Sequence, residues 1–180
     1  MDKNLLLSKL NKLLPGVVLE SRRFGRSGVV SVWVEAQSLT KVGVAMKEDP
    51  ELSADWLENL SIVEFEEALV VTYFVRSTGM GHSFIVRASV VPNPKTGSAS
   101  FPSVQSVWPM AKLMEREAEE MFGVTFGSES LKSEPAGSHF GILPEGWTGY
   151  PLRKKYEFPK EVFGILHSRP SNKIQLKKTK

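Results

Sequence analysis

The densest group of ionisable side chains in the sequence is Glu115-Arg116-Glu117-Ala118-Glu119-Glu120. Glu115 and Glu119 stand one helical turn apart, a spacing at which two carboxylates could divide acid and base work between them. An adjacent Arg116 and an outward helical face read instead as ordinary surface charge. His82, His139 and His167 are scattered, none with a neighbouring ligand at metal-binding spacing, so no metal centre is expected within the chain. Ser27, in Gly25-Arg26-Ser27-Gly28, lacks the second intervening residue and the strand-to-helix turn of a nucleophile elbow; Ser77 and Ser130 have no sequence link to a base. Gly79-Met80-Gly81 lacks the later glycine and lysine of a phosphate loop and joins two strands, so no helix N-terminus would face a phosphate. With no cysteine there is no thiolate for zinc or an iron–sulfur cluster. No catalytic, cofactor-binding or metal-ligating residue is assigned, and no cofactor is expected.

The elements that must position the glutamates lie between Pro102 and Tyr156. Pro109 can open a helix and Gly123 can close it, with good helix formers between. At helical period Met110, Leu113, Met114, Glu117 and Met121 share one side, and Glu115 and Glu119 lie on another. The stripe therefore predicts that Glu117 is either a rim charge or a buried carboxylate needing a cationic partner. Farther on, Leu143-Pro144-Glu145-Gly146-Trp147-Thr148-Gly149 is a turn-rich loop. Tyr150-Pro151-Leu152-Arg153-Lys154-Lys155-Tyr156 is then an extended basic and aromatic arm, since the residue before proline is pushed away from helix. Such an arm folds back on its own domain or lies across a partner.

In order and spacing, Pro102-Ser103-Val104, Trp108-Pro109, Glu115-Arg116-Glu117, Met121-Phe122-Gly123 and Gly149-Tyr150-Pro151-Leu152-Arg153-Lys154 resemble the C subunit of complex I, the NADH:quinone oxidoreductase, and its relatives in membrane-bound hydrogenases. Where that family usually carries Gly-His-Pro soon after Met-Phe-Gly, this chain has Gly127-Ser128-Glu129-Ser130 and a Ser, Pro and Gly rich insertion to Ser138. The resemblance implies a cofactor-free subunit in the hydrophilic arm of a membrane-bound, ion-pumping oxidoreductase, peripheral on the cytoplasmic side. The implied partners are the large nickel–iron-hydrogenase-like (D-like) subunit and a neighbouring iron–sulfur subunit. Contact with the membrane would come only through the complex. The equivalent subunit of an energy-converting hydrogenase or related archaeal complex is the alternative. The expected docking arm is Trp147 to Lys154, including Tyr150, Pro151, Leu152 and Arg153, and its orienting ionic network is Glu115, Arg116 and Glu117. The planar fork of Arg153 suits a carboxylate on the partner, which would leave Arg153 with little part in the chain's own stability.

At 180 residues, 41% hydrophobic and 24% charged, the chain has the composition of one globular domain plus an arm. Its net charge of +3 could serve nucleic acid, an anionic membrane surface or an acidic protein. Acids nearly balance the bases, and there is no ribonucleoprotein aromatic motif or recognition helix, so no nucleic-acid partner is expected. No run reaches the roughly 18 apolar residues of a membrane span, and the N-terminal apolar run is too short for a signal peptide, so a cytosolic chain is expected.

Leu6, Leu10, Leu13 and Leu14 predict a first helix, stopped at Pro15-Gly16. A hairpin from Val17 to Phe24 and Val29 to Glu35 follows, then a helix from Ser38 to Glu48 and a short helical turn from Ser53 to Trp56. Leu60 to Phe65, Leu69 to Arg76 and Ser83 to Val91 read as strands, Asn93 to Ser100 as an exposed loop, and Arg169 to Lys180 as a solvated basic tail. The expected fold is α+β, in chain order α-β-β-α-β-β-β-α: an antiparallel or mixed sheet covered by helices over residues 1–127, with a loop-rich insertion and extended C-terminal arm over 128–180.

Overall fold

Val30, Val32 and Val34 recur at every second position, as do Leu69, Val71, Tyr73 and Val75, and Phe84, Val86 and Ala88, so each set lines one face of a strand. The computed structural model describes residues 8, 9, 12, 13, 15–24, 29–127, 141–144, 146–162 and 164–166. In it the three sets meet on one face of a five-stranded sheet. Strands β1 (Val18–Phe24), β2 (Val29–Val34), β3 (Trp56–Phe65), β4 (Ala68–Arg76) and β5 (Ser83–Val90) stand in the order β1-β2-β5-β4-β3. Only the β2–β5 pair within it is parallel. Phe84 lies opposite both Val30 and Val75, and Val86 opposite both Val32 and Tyr73. A slip of one residue would turn these side chains to the other face, so burial fixes the register.

Helix α1 (Leu39–Glu48) follows a 3-10 turn at Ala36–Ser38 and buries Leu39, Val42, Gly43 and Met46, the spacing of one helical face. Gly43 permits close approach: a Cβ there would lie 3.1 Å from the Trp108 ring. The indole N–H of Trp108 donates to the carbonyl of Ala54 at 2.9 Å. At the C-terminal end Asp49 accepts the backbone N–H groups of Glu51 and Leu52, and its carboxylate meets Lys9 at 3.0 Å. Desolvation pushes the Asp49 pKa up, but the hydrogen bonds from Lys9, Leu52 and Glu51 outweigh it and hold the carboxyl below its usual value.

Strand β6 (Ala99–Phe101) leads through the Pro102–Met110 loop into helix α2 (Ala111–Phe122), which returns as β7 (Val124–Phe126), parallel to β6. The stacked rings of Phe101 and Phe126, 5.8 Å apart, join this pair to the main core. A two-residue hairpin, β8 (Glu161–Val162) and β9 (Ile165–Leu166), closes the described chain.

The result is an α+β domain with a mixed sheet, as expected. Two details differ from the sequence reading. Ser53–Asp55 are not helical, because Trp56 already starts β3 and pairs with Arg76. Ala99 and Ser100 belong to a strand, short and partnered from 25 residues away, which no local pattern signals. The sheet's parallel β2–β5 pair brings the N-terminal hairpin next to the middle of the chain. Of the predicted first helix only Ser8, Lys9, Lys12 and Leu13 are described, all helical; Leu6, Leu10 and Leu14, the Gly25–Gly28 turn, the insertion to Ser138 and the basic tail lie outside the described residues.

Candidate interaction site on the second helix and the C-terminal arm

Helix α2 buries only part of the face that its hydropathy favours. Ala111, Glu115, Ala118, Glu119 and Phe122 point into the domain, while Met110 is 44% and Leu113 62% exposed, Glu117 is exposed, and Met114 and Met121 are half-buried. Of the two readings of Glu117 the rim charge holds and the buried anchor does not, and one expectation is corrected: Glu115 and Glu119 are not surface charges. The reason is hydrogen bonding. Glu115 accepts the Val104 backbone N–H at 2.7 Å and the Ser103 hydroxyl at 2.6 Å, and Glu119 accepts the Phe126 backbone N–H at 2.8 Å. Each carboxylate satisfies backbone donors that the turn after β6 and the end of β7 would otherwise bury unpaired.

Burial pushes the Glu115 carboxyl above its ordinary pKa; the Ser103 and Val104 hydrogen bonds oppose this, and the charge of Glu119 adds to it. Desolvation, aided by the charge of Glu115, also raises the phenol of Tyr73 well above its usual value. The loop that Glu115 grips is tied to α1 as well, since Thr40 Oγ1 donates to the Ser103 carbonyl at 3.0 Å and Lys47 donates to that of Val107. Pro-Ser-Val, Trp-Pro and Glu-Arg-Glu are thus parts of one brace joining α1, the loop and α2.

The arm folds back on this brace. Gly123, left-handed at φ 64°, ends α2, and a Cβ there would lie 2.3 Å from the ring of Tyr150. Leu152 N–H donates to the Met121 carbonyl at 3.1 Å; Arg153 donates from Nε to the Phe122 carbonyl and from Nη2 to that of Gly97 at 3.2 Å. Arg153 Nη1 stands 3.7 Å from Glu64, whose other oxygen accepts the Lys154 N–H at 2.7 Å. Arg153 is therefore an internal clasp from the end of α2 to the edge strand β3, contrary to the expectation that it has little part in the domain's stability. A cation at a helix C-terminus is also favourably placed against the helix dipole. Trp147 packs edge-on to Phe158 at 5.7 Å, and Gly149 lets Tyr156 approach.

With the arm in place, the outward side of α2 carries a patch of large apolar residues. Leu113, Ile142 and Leu152 are each more than half exposed, beside Met110 and Tyr150. Two shallow clefts open there. One, of about 180 Å³, is lined by Leu113, Met114, Arg116, Glu117, Glu120 and Ile142; the other, of about 150 Å³, includes Leu60, Ile62, Met114, Glu117, Met121 and Leu152. Glu117 and Met114 border both.

The structure thus brings Arg116, Glu117, Tyr150, Leu152 and Arg153 to one end of the domain and keeps Glu115 inside it. Pro151 is half-buried and Lys154 exposed beside them. Sequence reasoning misses Leu113 and Ile142 as surface residues: hydropathy assigns the Met110–Met121 stripe to the core, and the fold leaves Met110 and Leu113 exposed while Met114 and Met121 pack at the core's edge. His82 packs edge-on to Phe84, and His139 and His167 lie outside the described residues.

Fold and site together define an α+β domain whose motif polar groups brace its own backbone and whose second helix keeps an apolar side outward. Residues 32–162 match the family described as the respiratory-chain NADH dehydrogenase 30 Kd subunit, and the chain belongs to that family. The C subunit of the NADH-quinone oxidoreductase of Roseiflexus castenholzii is 33% identical over 158 residues, covering 86% of this chain and 83% of that one. A Gluconacetobacter diazotrophicus protein, named as the C/D subunit of NADH-quinone oxidoreductase, is 27% identical over 86% of this chain, which spans only 26% of its length. Among solved structures, a chain of the membrane-bound sulfane sulfur reductase, an archaeal respiratory membrane complex, shares the fold at a TM-score of 0.70 and 20% identity, with 95% of this chain and 96% of that one covered.

Proposed function

We propose that the chain is a cofactor-free docking subunit in the hydrophilic arm of an NADH-quinone oxidoreductase-type membrane complex, seated on the large D-like subunit. One observation carries this reading: α2 turns Glu115 and Glu119 inward onto backbone donors and leaves Leu113 exposed, with Met110 exposed at its N-cap and Met114 and Met121 half-buried at the edge of the core. The exposed Met110, Leu113, Ile142 and Leu152 leave apolar area suited to cover by a second surface. The C/D relative supports the choice of partner, since its name joins both subunits in a single polypeptide of which this chain matches about a quarter. None of the described helices is long and apolar enough to cross a membrane, which suits peripheral attachment through that partner. Placement on the cytoplasmic side, beside an iron–sulfur subunit, belongs to the same proposal.

The test is affinity isolation of the tagged chain from gently solubilised membranes. Recovery of the D-like subunit in equal amount is the expected result; recovery of the chain alone from membranes that hold that subunit contradicts the proposal.

A further inference from the structure

We infer that Glu117 and the two clefts beside it form a composite socket for a segment of the D-like subunit presenting a basic residue between two apolar side chains. This rests on the proposed D-like partner and assigns the face and the chemistry by which it is held.

Glu117 stands exposed on the wall shared by the clefts, with Met114 beside it. At about 180 and 150 Å³ each cleft has room for one apolar side chain, and their walls carry the exposed Leu113, Ile142 and Leu152. Methionine suits such walls because its flexible, polarizable thioether adapts to an incoming shape. The first cleft also carries Arg116 and Glu120 on its wall, and the second Ser61. With Glu120 engaged by backbone N–H groups, a carboxylate flanked by Leu113, Met114, Ile142 and Leu152 favours a cation between two apolar groups, and its attraction strengthens as water leaves. An arginine fits best, since its fork can bind a carboxylate through two parallel hydrogen bonds. Glu120 is occupied on its own side, accepting the Ile142 and Leu143 N–H groups at 2.7 and 3.0 Å, and so fixes the cleft wall.

The test uses the assembled complex. A photo-crosslinking residue at Leu113, and in a separate chain at Ile142, should join the D-like subunit, whereas one at Val91, 69% exposed on the loop after β5, should not. Glu117→Arg should lower recovery of the D-like subunit by about tenfold or more, leave the melting temperature of the isolated chain unchanged, and be partly rescued by reversing the charge of the partner residue found at the crosslink. Unchanged recovery with Glu117→Arg, or crosslinks from Leu113 and Ile142 to another subunit, would overturn the socket while wild-type recovery of the D-like subunit left the docking proposal standing. Failure of the wild-type chain to bring down the D-like subunit would end both.

Discussion

A Cβ added to Gly123 would lie 2.3 Å from Cε2 of Tyr150. The glycine that ends α2 and the tyrosine that opens the arm are therefore one packing unit, 27 residues apart in sequence, and the tight seat of the arm depends on a missing side chain.

Gly123→Ala should destabilise the domain by more than the ~1 kcal/mol cost of a left-handed non-glycine residue, because the Tyr150 ring must also move. Denaturant unfolding of Gly123→Ala, Tyr150→Ala and the double variant checks this. Removing the ring should recover part of the glycine effect; strictly additive losses would separate the two residues.

Arg153→Glu should destabilise the isolated domain by about 2 kcal/mol or more, since it leaves the Phe122 carbonyl without its donor and sets a carboxylate against Glu64. Thermal unfolding is the measurement. A melting temperature equal to wild type would place Arg153 outside the domain's own fold.

Much of the fold is legible in the sequence because the core strands are apolar runs of strand length, with β-branched residues at every second position as at Val30, Val32 and Val34, and because Asp49-Pro50 and Gly123 punctuate the helices. The site is legible as a set of residues but not in its orientation. Hydropathy assigns Met110 and Leu113 to a core although both are exposed, and nothing local to Glu115 reveals that the Val104 N–H waits for its carboxylate. Buried hydrogen-bond acceptors outrank hydropathy when donors from another segment would otherwise go unpaired, and that segment is found only in three dimensions. The arm leaves two outcomes open for the same reason, as the Gly97 carbonyl and Glu64 that receive Arg153 lie far upstream.

Glu115→Ala should cost about 2–3 kcal/mol by stranding the Val104 N–H and the Ser103 hydroxyl. Glu115→Gln, which keeps one acceptor and removes the buried charge, should cost less. Chemical unfolding ranks the two, and equal losses would show that the charge itself is needed.

The pH dependence follows from the raised Glu115 pKa. The folded state holds this proton more tightly than the unfolded chain does, so Glu115 favours folding at low pH, and that contribution fades as pH rises from its ordinary 4.5 through the raised folded value. Asp49 acts oppositely: its lowered pKa contributes stability above the ordinary 3.8, and this is lost as pH falls through the folded value. Unfolding from about pH 4.5 to neutrality should therefore show Glu115→Gln gaining on wild type as pH rises. A constant difference across that range would mean that the carboxyl is not perturbed.

Docking on the D-like subunit is tested most directly by native gel electrophoresis of solubilised membranes from cells lacking this chain, with the D-like subunit followed by antibody and NADH-dependent quinone reduction assayed in parallel. Without the chain, the D-like subunit should leave the high-mass complex and activity should fall with it, and the wild-type chain should restore both. An intact, fully active complex in its absence would contradict the docking role.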